Sequence, residues 1–432
     1  MEAARVRAAS ASEVVCAAWA SGLVRGAAWL EDVGAKWVRP HRFWPEQERA
    51  LGSCAAWYPG IYRQMAPCCA GVRLEFETDA SELVLEVALD AEPAATSRVL
   101  AGVAEKGLLA PGAHDALAVD VDGKRLADVS LDAVEPPAEH HGTRGSEVAF
   151  ELASGAASGD LLQLPGFADA SRVCVWLPAL RGARLGRVRG NGTFLRPAGH
   201  DVPAHRLLVL GDSVAQGFVC DSPAASWPSV IARERGFELV NQSVGGQVFQ
   251  PSALVGLDRL DVPDVVIVAL GANYSYGRAS LAVVSREVTE YLSRVDALWP
   301  DASLLVMVPP ADGKTSVPGS CYPFIGKIIG DAVARVRARR VSEGRAAVYE
   351  VMQPELGEEL LSDADGHPTA EGAQILAGFV EARLDELLEC TCLRDFGQFG
   401  RCGACLGSAA TPEDAIAGEQ DADPADTIED EE

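Results

Sequence analysis

Between residues 205 and 388, apolar runs alternate with segments of helical periodicity, and this alternation limits the possible folds more than any other feature. Several runs are apolar at nearly every position, which is typical of strands covered on both faces. Five strands are predicted, at residues 206–210 (RLLVL), 238–241 (ELVN), 265–270 (VVIVAL), 304–308 (LLVMV) and 347–351 (AVYEV). Helices are predicted at 227–235, 281–295, 325–336 and 369–388. Strands that alternate with helices indicate a three-layer α/β domain with a parallel sheet.

The first 200 residues have a different pattern, in which short strands are separated by turn signals such as Asp122-Gly123. Six strands are predicted from alternating or β-branched residues, at 72–76, 83–89, 117–121, 125–131, 147–152 and 173–177. Many short strands at this spacing predict an all-β region from about residue 20, folded as a β-sandwich of the jelly-roll type. We therefore predict three parts: a β-sandwich domain at 1–200 with a short N-terminal lead, an α/β domain at 203–388 and a tail at 389–432.

The predicted tail is acidic and contains four of the cysteines. Residues 411–432 hold ten acids and no base, with few large apolar residues, so we expect a solvated, disordered segment. Four thiols within sixteen residues could hold a zinc ion tetrahedrally. Because a Cys-x-Cys pair is unusual in structural zinc sites, we favour reduced thiols and no bound metal, and leave zinc open for Cys390, Cys392, Cys402 and Cys405.

Charge and hydropathy exclude several classes of function. The net charge of -25 disfavours nucleic acid and anionic membrane surfaces as partners, because both attract basic faces. No apolar run reaches the roughly 18 residues that span a bilayer. The odd count of eleven cysteines favours reduced thiols and a cytoplasmic protein. Export is the alternative, because Arg5 and Arg7 precede an apolar stretch at 14–24, but no clean cleavage site follows it.

Four short motifs follow the predicted strands or precede the last helix. In a parallel sheet, ligands bind at the carboxyl ends of the strands, where these motifs meet. Each could also be an ordinary turn, because Gly, Asp, Asn and Ser are common turn residues. The four are Gly211-Asp212-Ser213, the loop 241–246 (NQSVGG), Gly271-Ala272-Asn273 and Gly366-His367-Pro368.

Ser213 and His367 are the candidates for nucleophile and base. A serine at a strand end has an exposed hydroxyl, and it needs a nearby base to act as a nucleophile. His367 is the only histidine after Ser213 in the chain, whereas His205 begins the strand that leads to Ser213 and so lies at its far end. His367 is therefore the best-placed base within this domain.

The order and spacing of the four motifs resemble the SGNH, or GDSL-type, hydrolase family over residues 203–388. The resemblance implies a flavodoxin-like hydrolase fold in which Ser213 is the nucleophile and His367 the general base. It also implies an oxyanion hole formed by the backbone N–H groups of Ser213 and Gly246 and by the side chain of Asn273. Two positions depart from the family pattern: Val214 stands where leucine is usual, and Tyr274 where aspartate is common.

The third member of a catalytic triad is ambiguous in this sequence. The family usually places an aspartate three residues before the histidine, and that position is Ala364 here. Asp363 and Asp365 flank it, and either could hold the imidazole through its second nitrogen, as could a backbone carbonyl. We predict Asp365 by a narrow margin and keep Asp363 open.

The N-terminal part adds a second resemblance. The segments WYPGIYRQMAPCCAGVRLEFETD and VWLPAL are similar to the N-terminal jelly roll of two-domain SGNH carbohydrate esterases. We therefore predict a serine esterase that removes a short acyl group, such as acetyl, from a carbohydrate or small-molecule ester, without a cofactor. The alternatives are a lipid or thioester acylhydrolase on the same site and a non-catalytic glycan-binding protein. The sequence does not define an oligomeric state.

Overall fold

The computed structural model describes residues 15–53, 60–105, 114–131, 146–151, 170–199, 205–310, 316–345, 348–363 and 365–391. The chain divides into two compact units, Met1–Glu381 and Ala382–Glu432. The first unit contains all three sheets described below. The predicted boundary near residue 200 lies inside this unit and stays a prediction. None of the described helices is long and apolar enough to cross a membrane.

Two antiparallel sheets of six strands precede residue 200. The first consists of β1 (Cys16–Trp19), β3 (Trp29–Gly34), β4 (Trp37–His41), β6 (Glu82–Leu89), β9 (Ser146–Glu151) and β11 (Ala183–Gly190). The second consists of β2 (Val24–Arg25), β5 (Arg73–Thr78), β7 (Ala116–Val121), β8 (Lys124–Ser130), β10 (Ser171–Trp176) and β12 (Leu195–Pro197). The strand orders are β3-β4-β11-β6-β9, with β1 also on β11, and β12-β5-β10-β7-β8, with β2 also on β5.

Apolar side chains from both sheets form one core. Leu85 and Leu185 from the first sheet share this core with Phe76 and Val175 from the second, and all four are buried. Alternate residues of a strand point to opposite faces, so one face of each sheet supplies the core. The predicted β-sandwich is therefore confirmed, and its jelly-roll connectivity stays a prediction.

The prediction that this region is all-β is wrong in part, because its described residues also form three α-helices. They are α1 (Pro45–Ser53), α2 (Ile61–Met65) and α3 (Ala94–Glu105). In α3 the apolar residues Ala95, Val99 and Val103 are four positions apart, which places them on one helical face against a shared apolar cluster. All three helices are short and interrupt a strand-rich region, so their periodicity is weak in the sequence.

A five-stranded parallel sheet follows residue 205, as predicted. Its strands are β13 (Arg206–Gly211), β14 (Glu238–Asn241), β15 (Val265–Ala269), β16 (Ser303–Val308) and β17 (Val348–Met352), in the order β14-β13-β15-β16-β17. The helices are α4 (Ser213–Gln216), α5 (Trp227–Arg235), α6 (Leu281–Leu298), α7 (Ile325–Ser342) and α8 (Ala370–Thr391). Every residue of β15 and β16 is buried, which explains their continuous apolar sequence. The predicted α/β fold is confirmed.

The strand order places a topological switch point at β13. The chain leaves β13 for β14 on one side and then returns to β15 on the other. Connections that leave in opposite directions open a crevice at the carboxyl ends of the strands, and ligands bind there in open α/β sheets. The motifs around Ser213 and Asn273 directly follow β13 and β15.

Candidate active site

Ser213 lies at the turn between β13 and α4. Asp212 begins α4 as its N-cap, and its carboxylate accepts the backbone N–H of Val214 at 3.1 Å. Ser213 is the first residue of this helix, so its own N–H has no partner within the helix. The turn requires Gly211, because a Cβ there would lie 2.6 Å from the Cβ of Ala215. The Ser213 side chain is therefore held at the end of the central strand.

His367 is in hydrogen-bonding contact with Ser213. Its Nε2 atom lies 2.8 Å from the Ser213 Oγ atom, although 154 residues separate the two in sequence. The loop that carries His367 is closed by a hydrogen bond from the backbone N–H of Ser362 to the His367 carbonyl oxygen at 2.8 Å. The imidazole also packs against the ring of Phe218, with 5.4 Å between ring centroids. Ser213 and His367 are thus within hydrogen-bonding distance, and their roles as nucleophile and base stay predictions.

The carboxylate beside the imidazole belongs to Asp363, and the prediction of Asp365 is wrong. Asp363 Oδ2 lies 2.5 Å from His367 Nδ1. The exposed Asp365 side chain instead accepts the Tyr276 hydroxyl at 2.9 Å. The reason is local: Asp363 Oδ1 accepts the backbone N–H groups of Asp365 and His367, at 3.0 and 3.1 Å. These bonds fold the loop, with Gly366 at a φ of 86°, so that the side chains of Asp363 and His367 come into contact.

The electrostatics of Asp363 fit an ionised carboxylate that faces a histidine. Burial by itself raises the pKa of this carboxyl, but the hydrogen bond and charge of His367 and two backbone N–H groups lower the pKa below its ordinary value. An ionised Asp363 accepts a hydrogen bond from the Nδ1–H group, which keeps the proton on Nδ1 and leaves Nε2 free to accept the hydroxyl proton of Ser213. Ser213, His367 and Asp363 are each less than a tenth exposed.

Gly246 lies in a tight turn after β14. The backbone N–H of Gln247 bonds to the carbonyl oxygen of Val244 at 3.1 Å and closes the turn. Gly246 is its third residue, and a φ of 81° there is the value that a type II turn requires. Only glycine adopts this conformation without strain, which explains the residue type at this position.

Asn273 lies in a short 3-10 helix, Ala272–Tyr276, that follows β15. Its amide nitrogen donates to the carboxylate of Asp212 at 3.2 Å and to the carbonyl oxygen of Gln247 at 3.1 Å. The amide is thus oriented beside the turn that carries Ser213. An oxyanion bound here would share these amide protons with Asp212 or Gln247.

Two contributors to the site were missed at the level of sequence. Asp212 belongs to the Gly-Asp-Ser motif, and its capping position could have indicated that it holds the turn. Tyr62 lies in α2 of the N-terminal region, and its hydroxyl donates to the carbonyl oxygen of Gly246 at 2.9 Å. No sequence signal links Tyr62 to Gly246, and the two residues are 184 positions apart.

Among the described residues, no group of three or more His, Cys, Asp or Glu side chains is arranged to hold a metal ion. This finding does not extend to the four cysteines at which zinc binding is left open. The side chains of Cys390, Cys392, Cys402 and Cys405 lie outside the part of the chain that the structure describes.

Residues 209–375 match the GDSL-like lipase/acylhydrolase family. We call the matched residues 209–375 the GDSL domain. The matched range includes Ser213, Gly246, Asn273, Asp363 and His367, so it holds every candidate site residue of this domain. The predicted family resemblance is confirmed. No curated protein matches the chain.

Solved structures share the fold of the GDSL domain and of the N-terminal region together. The salicylyl-acyltransferase SsfX3 from a tetracycline biosynthetic pathway has a TM-score of 0.60 at 21% identity. The alignment with it covers 90% of this chain and 98% of the acyltransferase chain. A putative GDSL-like lipase from Bacteroides ovatus has a TM-score of 0.59 at 16% identity, with coverage of 86% and 98%. A family two carbohydrate esterase from Cellvibrio japonicus has a TM-score of 0.53 at 14% identity, with coverage of 86% and 98%.

The lowered pKa of Asp363 predicts a pH-dependent contribution to stability. Its ionised form is stabilised by folding, so the contribution is complete above the ordinary aspartate pKa of about 3.9 and is lost as the pH falls through the lower pKa of the folded state. We expect Asp363→Asn to lower the free energy of unfolding near pH 6, and the difference to shrink below about pH 4. Urea unfolding of both proteins across this pH range measures the difference in their free energies of unfolding.

Asp301→Asn is the matched control, because Asp301 is exposed and its substitution is expected to leave the free energy of unfolding nearly unchanged. A difference between the unchanged protein and Asp363→Asn that stays constant or grows as the pH falls would contradict the prediction.

Proposed function

We propose that the protein is a serine esterase that forms an acyl-enzyme on Ser213. The observation that carries this proposal is the continuous chain of contacts from Ser213 Oγ through the two ring nitrogens of His367 to Asp363, with distances of 2.8 and 2.5 Å. This arrangement is that of a Ser-His-Asp triad, which is recognised by geometry and by the roles of its groups. The match to a hydrolase family supports the same chemistry.

In the first half-reaction, Ser213 Oγ attacks the carbonyl carbon of the ester while its proton moves to His367 Nε2. The tetrahedral intermediate carries a negative charge on the former carbonyl oxygen. When it collapses, the bond between the acyl carbon and the alcohol oxygen breaks, and the alcohol leaves with the proton from Nε2. Asp363 stabilises the imidazolium and fixes its orientation, and does not itself take the proton.

Water completes the cycle in the second half-reaction. It loses a proton to His367 Nε2 as its oxygen attacks the acyl carbon, and a second tetrahedral intermediate forms. The bond to Ser213 Oγ then breaks, the serine regains its proton, and the carboxylic acid is released. No cofactor is needed for either half.

The oxyanion site is assigned to the backbone N–H groups of Ser213 and Gly246 and to the Asn273 side chain. The N–H of Ser213 has no partner within its helix, and the amide of Asn273 is held next to the same turn. The removal of one donor from such a site typically costs about 2.7–4 kcal/mol of transition-state stabilisation. Three donors can therefore account for a large part of the rate enhancement.

A short acyl group on a carbohydrate is the substrate class that we propose. The N-terminal β-sandwich accompanies the GDSL domain in the fold of the Cellvibrio japonicus carbohydrate esterase as well, which supports this class. Transfer of the acyl group to an alcohol instead of water is the second candidate, because the structure of an acyltransferase covers 90% of this chain. The two candidates share the acyl-enzyme and differ only in the acceptor.

We expect Ser213→Ala and His367→Ala each to lower kcat by about a thousandfold or more while both variants remain folded. The measurement is turnover of nitrophenyl esters of rising chain length and of acetylated oligosaccharides, with and without an added sugar alcohol. The exposed His205, at the other end of β13, provides the matched control as His205→Ala. A His367→Ala variant with normal turnover would show that His367 is not the base.

The ester series also decides between the candidate substrates. Activity that rises with chain length would favour a lipid or thioester acylhydrolase, and product esters of the added alcohol would favour acyl transfer. A complete lack of turnover that Ser213→Ala does not change would favour a non-catalytic glycan-binding protein.

The two aspartates of the His367 loop are expected to differ strongly in their effect on kcat. Asp363→Asn leaves the imidazole in the wrong tautomer, which costs about ten-thousand-fold in a strict triad. Asp365→Asn removes a negative charge but keeps an oxygen that can accept the Tyr276 hydroxyl, so we expect a change of about threefold or less. Both variants are compared on one ester. A larger loss in Asp365→Asn than in Asp363→Asn would show that the orientation of the imidazole depends on Asp365 instead.

A further inference from the structure

The peptide groups around Gly246 are held by three hydrogen bonds from three different parts of the chain. Gln216 accepts the backbone N–H of Gly245 at 2.8 Å, and the turn bond from Gln247 to Val244 is 3.1 Å long. The third bond comes from Tyr62, whose hydroxyl donates to the Gly246 carbonyl oxygen at 2.9 Å. The Gly246 N–H lies between the first and third of these contacts. Rotation of the peptide unit that carries this N–H is therefore limited by a hydrogen bond to each neighbouring peptide unit.

The Tyr62 contact is the one that comes from outside the GDSL domain. Tyr62 lies in the short helix α2 and is only 2% exposed, so its hydroxyl has little access to water. A Cβ on Gly246 would lie 3.4 Å from Ile61 and 3.7 Å from the Tyr62 ring, which shows that α2 packs directly on the glycine. Glycine is the most flexible residue, and this packing restricts the motion of its peptide groups.

Helix α2 is itself fixed in place. The buried Arg42 donates to the carbonyl oxygens of Met65, at the end of α2, and of Cys68, at 2.9 and 2.6 Å. The same guanidinium donates to the carbonyl oxygens of Asn241, the last residue of β14, and of Ser243, in the loop that leads to Gly246. The helix that carries Tyr62 and the loop that carries Gly246 are thus tied to one buried group.

We propose that Tyr62 is a positioning residue for the oxyanion site, through which the N-terminal region contributes to catalysis. This inference rests on the proposed esterase function. Tyr62 acts through the Gly246 peptide and does not contact the reacting atoms. Preorganised donors stabilise the transition state more than the ground state, so loss of the hydroxyl lowers kcat and leaves KM nearly unchanged.

The test is Tyr62→Phe, which removes one hydroxyl and keeps the ring that packs on Gly246. We expect kcat on a nitrophenyl ester to fall about tenfold, KM to change by less than about twofold, and the Ki of an alkylboronic acid to rise by a similar factor of about ten. A boronic acid forms a tetrahedral adduct on the serine and places an oxygen in the oxyanion site. Active-site titration with a phosphonate normalises each rate to the folded, reactive fraction.

Tyr291→Phe is the matched control, because Tyr291 is equally buried but lies in α6 against Phe249. We expect kcat and the boronic acid Ki of this variant to stay normal. A Tyr62→Phe variant with normal kcat and Ki would overturn the positioning role. So would a rate loss that disappears after normalisation, or one that Tyr291→Phe shares.

The same assay separates this inference from the function on which it rests. The unchanged protein and Ser213→Ala are measured first on the ester used for Tyr62→Phe. Turnover that Ser213→Ala abolishes supports the esterase, and a normal Tyr62→Phe then overturns the positioning role alone. Turnover that Ser213→Ala leaves intact overturns both.

Discussion

The buried guanidinium of Arg42 is the interaction on which the arrangement of the site depends. It donates to four main-chain carbonyl oxygens, two at or just after the end of α2 and two at or just after the end of β14. Burial lowers the pKa of Arg42 to about 10, which still leaves the side chain protonated at neutral pH. A buried charge is tolerated only when hydrogen bonds replace its hydration, and the four carbonyl groups in turn need a donor. The N-terminal region and the site loop therefore fix each other.

The parallel sheet explains how the remaining groups meet. Ser213 follows β13, the Gly246 turn follows β14, and Asn273 follows β15, so three neighbouring strands deliver three parts of the site to one edge. Hydrogen bonds then join these parts, because Asn273 donates to Asp212 and Gln216 accepts from Gly245. His367 and Asp363 come from the loop before α8. The sheet brings the site loops to one edge, and the hydrogen bonds between the loops orient the site groups.

Most of the α/β fold could be predicted because its physical signals are local. The strands β15 and β16 are buried along their whole length, so their sequences are continuously apolar, and α6 has the regular apolar spacing of a helix with one buried face. The helices of the N-terminal region lacked such signals. Helix α2 has five residues, and its place in the structure depends on contacts with distant parts of the chain.

The site was predicted less completely than the fold, for a related reason. The pairing of Ser213 with His367 could be predicted, because Ser213 follows an apolar strand and His367 is the only histidine after it in the chain. The choice between Asp363 and Asp365 depends on side-chain direction in one loop, and the hydrogen bonds from Asp363 to the backbone of that loop decide it. The contact of Tyr62 with Gly246 depends on how two sheets and a helix pack, so a single sequence contains no pattern for it.

Covalent trapping of the nucleophile tests the central claim most directly. The protein is incubated with diethyl nitrophenyl phosphate, and the site of the adduct is mapped by mass spectrometry of proteolytic peptides. A catalytic Ser213 predicts a single diethylphosphoryl group on the peptide that contains this serine, loss of esterase activity in proportion to labelling, and no label on Ser213→Ala. A label on another residue, or activity that persists when Ser213 is fully labelled, would contradict the account.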